Sequence, residues 1–303
     1  MVQEQSASAW NTSPAEIISS DSTNVSLSPE AHFTFTQWSI PAADTHHFYG
    51  RAGTNLIAPF KNCQFIGGKF QSDGPQVSIT NCLFHRVDTI INGASNQINP
   101  TFQNCLFYGG SLKLTNSQAG TWKLHDSVFD GTTISQSGTI THDYNGYITN
   151  APGQWLTNGG GHDIFTNNFT WFTLPLGRFY QFPIGGFINK GSTTAHGLYH
   201  YTVFTTGAKE TNSIVDLGYH YVALNAQNQP FDGDGDGLPD YSEDADGDGT
   251  WDSGAETNFA DADTDDDGVS DYTEWIQGRN PLVHGSTADS GNLINLKIFT
   301  PLK

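Results

Sequence analysis

Apolar and polar residues alternate in short runs through the first two thirds of the chain. Val77-Ser78-Ile79-Thr80 and Trp122-Lys123-Leu124-His125 show the pattern, and each run leads into a tetrapeptide that recurs. The recurring units are Asn62-Cys63-Gln64-Phe65, Asn81-Cys82-Leu83-Phe84 and Asn104-Cys105-Leu106-Phe107, then Asp126-Ser127-Val128-Phe129, spaced 19, 23 and 22 residues apart. Fainter echoes follow at His142-Asp143-Tyr144 and Thr166-Asn167-Asn168-Phe169. A period of two over four to eight residues predicts half-buried strands, and helical periodicity is hard to find.

A unit this short, with strands and no helix, cannot bury its own apolar face and must stack on its neighbours. The expectation is therefore an all-β solenoid. Asn at one fixed point of each turn suits a left-handed bend, stacked amides can bond from coil to coil, and the Phe two residues after each Cys should point inward. At about 21 residues per coil, about 200 residues would wind roughly nine or ten coils, about 45 Å in all. A β-sandwich is the rival, but sandwich strands do not reproduce one tetrapeptide at near-constant spacing. Cys63, Cys82 and Cys105 share one repeat position, which predicts a buried column of small side chains. Their parallel Cβ vectors match a disulfide poorly, and the redox compartment stays open.

The repeats resemble the right-handed parallel β-helix proteins of large bacterial secreted and cell-surface polypeptides. The resemblance covers roughly residues 32 to 222. Besides the repeats it is carried by Gly159-Gly160-Gly161-His162-Asp163-Ile164, Leu176-Gly177-Arg178-Phe179-Tyr180, Phe187-Ile188-Asn189-Lys190-Gly191-Ser192 and a closing Val215-Asp216-Leu217-Gly218-Tyr219-His220-Tyr221. It implies last coils near residue 221 and leaves activity open, because such folds serve as lyases, hydrolases, adhesins and stalks.

Charge sharpens the picture beyond residue 223. The chain of 303 residues has a formal net charge of −19, yet 17 of its 31 carboxylates lie between Asp232 and Glu274, where there is no Lys or Arg. The remainder holds 14 acids against 12 bases and is nearly neutral. A nearly neutral body with an acidic patch argues against nucleic-acid or anionic-membrane partners. No apolar run is long enough for membrane insertion.

The acidic run has a grammar. Calcium loops place oxygens at positions 1, 3 and 5, a backbone carbonyl at 7, a group at 9 that often acts through water and a Glu at 12, with Gly at 6. Asp232, Asp234, Asp236, the Leu238 carbonyl, Asp240 and Glu243 meet every position, as do Asp263, Asp265, Asp267, the Val269 carbonyl, Asp271 and Glu274. Between them, Asp244, Asp246, Asp248, the Thr250 carbonyl and Asp252 begin a third loop. Its position 12 is Ala255 and the carboxylate falls one place later, at Glu256, so its occupancy stays open. A solvated acidic tail would need neither the Gly nor the Glu. Zinc would want Cys and His, and magnesium a stricter octahedron, so Ca2+ is the expected cofactor at the first and last loops, with the middle loop left open. The first loop is entered from extended chain, since Asn225 to Phe231 contains Pro230. Exit helices are expected near Tyr241 to Asp246 and over Asp271 to Gln277, where Tyr272, Trp275 and Ile276 make an apolar face.

Residues 232 to 281 resemble bacterial thrombospondin type 3-like or dockerin-like calcium repeats. With no basic residue to offset the carboxylates, folding of this segment should be coupled to the ion. Loops of this kind outside cells bind at about 10⁻⁴ to 10⁻³ M, which points to an extracellular or cell-surface location. Residues 1 to 24 carry no secretory signal pattern, and Leu293 to Phe299 read as the first strand of something further. The expectation is a piece of a longer exported protein, adjoining other domains.

The expected organisation is a polar lead-in over 1–31, a β-helix over 32–222, calcium loops over 223–281 and a linker with an orphan strand over 282–303. The expected role is structural or adhesive, with polysaccharide or cell-wall glycan as a partner. The enzyme alternative is a polysaccharide lyase or hydrolase. Its candidates are His85, Tyr108 and Asp130, which follow the repeat Phe residues and could form a column. Ile66 is the apolar member of that column and no paired acid accompanies it, so surface decoration is the simpler reading. His125-Asp126 and His142-Asp143 are explained more simply by Asp replacing the turn Asn, and His46, His47 and His162 lack metal-ligand spacing.

Overall fold

A computed structural model of the chain describes residues 33–34, 37–39, 46–50, 57–73, 76–93, 100–116, 122–149 and 151–285. The lead-in and the strand expected at Leu293 to Phe299 lie outside these residues. Two compact units emerge: Met1–Phe169 with Gly186–Ser192 and Asp216–Tyr219, and Thr170–Gly185 with Thr193–Val215 and His220–Lys303.

The first unit is a parallel β-solenoid. Four consecutive turns repeat a three-strand pattern. They are β4 (Ile57–Lys61), β5 (Gln64–Ile66) and β6 (Lys69–Ser72); β7 (Gln76–Thr80), β8 (Leu83–His85) and β9 (Asp88–Gly93); β10 (Thr101–Gln103), β11 (Leu106–Tyr108) and β12 (Ser111–Asn116); and β13 (Lys123–His125), β14 (Val128–Asp130) and β15 (Thr133–Ser137). Strands β1 (Phe33–Thr34), β2 (Gln37–Ser39) and β3 (His46–Gly50) pair in front of them. Beyond them, β16 (Thr141–Asp143), β17 (Gly146–Ile148) and β18 (Ile164–Thr166) extend two of the three sheets. Every pairing within these sheets is parallel and joins each turn to the next, as stacking of an incomplete unit demands.

The repeat residues do what their spacing predicts. Phe65, Phe84, Phe107, Phe129, Tyr147 and Phe165 are in register on six successive strands. The rings of Phe65, Phe84, Phe107, Phe129 and Tyr147 are buried and stack inward, with centroids 5.0 Å (Phe65 to Phe84), 4.6 Å (Phe84 to Phe107), 5.1 Å (Phe107 to Phe129) and 5.2 Å (Phe129 to Tyr147) apart, while Phe165 ends the row as an exposed ring stacked on Tyr147. The turn residues Asn62, Asn81, Asn104 and Asp126 all have φ between 50° and 57°, the left-handed region that Asn and Asp tolerate. Asn81 Nδ2 donates to Asn62 Oδ1 at 2.8 Å, so that pair of amides does stack; Asn104 Nδ2 instead donates to the Asp216 carbonyl at 3.1 Å.

The next position makes a second ladder. Cys105 N donates to Ser127 Oγ at 3.1 Å, Ser127 N to Asn145 Oδ1 at 3.2 Å and Asn145 N to Asp163 Oδ1 at 2.9 Å. The cysteines head this column as buried free thiols, and burial pushes Cys105 up to about 12.

Three expectations are corrected. Parallel pairing of strands ends with β18, well short of nine or ten coils, because residues after Thr166 form turns, two short antiparallel pairs and isolated bridges. The echo at Thr166 to Phe169 is out of register: Phe165 joins the ladder, while Phe169 stacks on Phe187 at 4.8 Å. Within the first unit, residues 186–192 and 216–219 are not further coils but straps over the outer face of the β5–β8–β11–β14–β17 sheet. There Leu83, Leu106 and Val128 are buried although they point away from the Phe ladder. The Phe187 ring sits where a side chain on Gly146 would be, and Gln64 Nε2 donates to Tyr219 Oη at 3.1 Å. Asp126 fastens both straps: its carboxylate accepts from Ser192 N at 2.6 Å and Ser192 Oγ at 2.7 Å, and its carbonyl from Gly218 N at 2.9 Å.

The second unit carries β19 (Phe172–Leu174) antiparallel to β20 (Gly177–Tyr180), β21 (Tyr201–Thr202) antiparallel to β22 (Tyr221–Val222), and the acidic loops. Two short helices begin at the ninth position of the first and last loops, α1 (Asp240–Glu243) and α2 (Asp271–Gln277), the latter stopped by Gly278 at φ 69°. Among the described residues no helix is long and apolar enough to cross a membrane.

Candidate metal centre

The three Asp-rich loops fold by the same local bonds. The sixth-position glycine donates to the first Asp: Gly237 to Asp232 at 3.2 Å, Gly249 to Asp244 at 2.7 Å and Gly268 to Asp263 at 2.7 Å. The seventh residue donates to the fifth: Leu238 to Asp236 at 2.6 Å, Thr250 to Asp248 at 2.7 Å and Val269 to Asp267 at 2.9 Å. The glycines stand at φ 106°, 80° and 91°, where any side chain would be strained. The result is three groups, Asp232/Asp234/Asp236, Asp244/Asp246/Asp248 and Asp263/Asp265/Asp267, each offering oxygens within 4.8 Å of one another. Each group could hold a metal ion.

The ninth and twelfth positions separate the loops. Asp240 is drawn into the scaffold: Oδ1 accepts from Gly233 N at 2.7 Å, and Oδ2 lies 3.0 Å from Lys209 Nζ. Asp271 does the same, accepting from Thr264 N at 3.0 Å and Thr264 Oγ1 at 2.6 Å. In the middle loop Asp252 is exposed, and Glu256 takes over this bracing role, accepting from Ala245 N at 2.8 Å and Asp252 N at 3.0 Å. The one-residue displacement visible in the sequence thus turns the closing carboxylate into a backbone brace.

Glu243 is different. It is 1% exposed, and neither carboxylate oxygen has a hydrogen-bond partner among the described residues. Burial first, then the charges of Asp234, Asp236, Asp240 and Asp271, push it up to about 9. Asp234 is raised by the same two causes. A buried carboxylate with nothing bonded to it costs several kcal/mol unless a proton or a cation neutralises it. Asp234 Oδ2 and Asp265 Oδ2 are likewise buried with no hydrogen-bond partner among the described residues. This donor set is all oxygen, which fits a hard divalent cation. At the third loop, Glu274 is fully buried, with Oε1 3.3 Å from Arg279 Nη2.

The expectation that no basic group offsets the acidic run is corrected, because the counter-charges come from outside it. Lys209 reaches Asp240, and Arg279 reaches Asp267 at 3.0 Å and Glu274; besides these two cations, His200 Nε2 forms a hydrogen bond of 2.8 Å with Asp244 Oδ2. Burial works to raise Asp244, but hydrogen bonds from His200, Gly249 and Gly247 outweigh it and hold its carboxyl low. The apolar face read on α2 is also reversed: Asp271 and Glu274 are its buried residues, while Tyr272 and Ile276 are exposed.

In the solenoid unit, His85, Tyr108 and Asp130 are in register on consecutive strands, as the repeat alignment expects, and the His85 and Tyr108 rings meet edge to face at 5.4 Å. Asp143 Oδ2 lies 2.8 Å from His162 Nδ1, and Asp163 Oδ2 lies 3.0 Å from His142 Nδ1, so these histidines pair with acids one turn away. Those pairings have no local spacing from which sequence reading could find them. Comparison with protein-family models, curated proteins and solved structures finds no match.

Proposed function

We propose that the chain is a structural, adhesive module of an extracellular protein, in which a β-solenoid is followed by a connector made rigid by calcium. The observation that carries this reading is Glu243, buried beside Asp234 and Asp236 with both oxygens unpaired among the described residues. Calcium suits the site because it accepts many oxygen ligands in flexible geometry, whereas magnesium keeps its waters. The exterior supplies the millimolar calcium that loops of this type need.

A glycan is the partner class favoured for the solenoid unit. The exposed His162 ring lies flat on Tyr144, centroids 4.3 Å apart and planes 11° apart, and such amphipathic ring surfaces suit sugar faces. The register of His85, Tyr108 and Asp130 supports the second reading, a lyase or hydrolase. A panel of polysaccharides assayed in calcium for retention of the protein and for new reducing ends or unsaturated products tests both. Retention without cleavage is expected; cleavage would replace the adhesive reading with the enzymatic one.

A further inference from the structure

The three loops share a sequence grammar, but their closing groups differ. Only the first keeps a buried twelfth-position carboxylate with both oxygens unpaired among the described residues. In the second, Glu256 is consumed by the N–H groups of Ala245 and Asp252. That loop is instead stitched to the segment before it: Gly197 N and Tyr199 N both donate to the Gly247 carbonyl, at 3.0 and 3.1 Å. His200 holds Asp244, and the Tyr199 ring lies where a side chain on Gly249 would be.

The first and third loops are joined directly. Asp236, at position 5 of the first loop, accepts the Tyr272 N–H at the start of α2 at 2.7 Å. The same helix carries Glu274, the closing carboxylate of the third loop. Gly233 lies so close to the Phe259 carbonyl that no side chain fits between the first loop and the segment leading into the third.

We propose that the loops are unequal and coupled: the first and third bind calcium cooperatively through Asp236 and the Tyr272 N–H, while the second is a fastening loop that fills last. This rests on the calcium reading above. A cation at the first loop fixes Asp236, Asp236 fixes the first turn of α2, and α2 presents Glu274 to the third loop. Each step is reciprocal, so filling the third loop aids the first.

The amides of Gly237, Gly249 and Gly268 each donate to the first Asp of their own loop and report the three sites separately by NMR. Titrating the full chain with calcium alone, Gly237 and Gly268 should move together, steeply, at lower calcium than Gly249. Glu243→Gln should raise the Gly268 midpoint by at least about fivefold although Asp271 is the one third-loop group whose charge acts on it. Tyr272→Pro, which removes the N–H from the first helical turn, should separate the Gly237 and Gly268 curves while both sites still fill. Glu256→Gln should leave both curves in place. Three coincident independent curves, Gly249 moving first, or a Gly268 midpoint unchanged in both Glu243→Gln and Tyr272→Pro would overturn the coupling while leaving calcium binding intact. No movement at any glycine would overturn the calcium reading itself.

Discussion

Phe84 and Phe107 lie ring on ring, with centroids 4.6 Å apart and planes inclined by 8°. They come from successive turns and are the middle of a ladder that fills the solenoid interior. Phe107 also meets Phe102 and Phe129, so its removal leaves a void that neighbouring turns, held by parallel strands, cannot close. Phe107→Ala should cost about 3–5 kcal/mol, read as a lower denaturant midpoint in the presence of calcium. A cost below about 1 kcal/mol would mean that the ladder does not hold the turns together.

The left-handed turn separates two contributions at one residue. Asn81 has φ 50° and also donates its side-chain amide to Asn62. Asn81→Gly keeps the permitted backbone and loses the amide. Asn81→Ala loses both, so it should be the less stable by a further ~1 kcal/mol in chemical denaturation. Equal losses would show that the backbone conformation contributes nothing.

The thiols should be silent in the folded chain. Cys63, Cys82 and Cys105 are fully buried, and burial raises both Cys82 and Cys105, the latter to about 12 against an ordinary 9.0. Since the thiolate is the reactive form, alkylation at pH 8 should be slow in native protein and complete in denaturant. The sign of the shift also means that stability falls as pH rises from about 9 toward about 12, because unfolding releases thiols that ionise more easily. Fast native alkylation of Cys105 would place it outside the column.

Much of the fold is legible in the sequence because the solenoid repeats one local instruction. Asn at the bend, Cys beside it and Phe two residues on recur, and each has the same neighbours in every turn. The Asp loops are legible for the same reason, since twelve consecutive residues make most of their own bonds. What escapes is long-range. Asp126 looks like an imperfect Asn, yet it anchors straps arriving from Ser192 and Gly218. Lys209 and Arg279 lie outside the acidic run, so counting charge within the run misses them. Phe165 is hidden because the sixth unit has Asp163 where the earlier ones have Cys, Ser or Asn. The role of Glu256 depends on which backbone amides surround it, and a one-residue offset does not reveal that.

Metal binding and folding of the acidic segment should be one event. Without a cation, the carboxylates of Asp232, Asp234, Asp236 and Glu243 crowd one another, and the ion binds the closed form alone. Limited proteolysis with cut sites mapped by mass spectrometry, in millimolar calcium and in chelator, tests this directly. Resistance between residues 230 and 280 in calcium and rapid cutting there in chelator are expected, with the cutting pattern between residues 57 and 149 the same under both conditions. Equal cutting between residues 230 and 280 with and without calcium would contradict it.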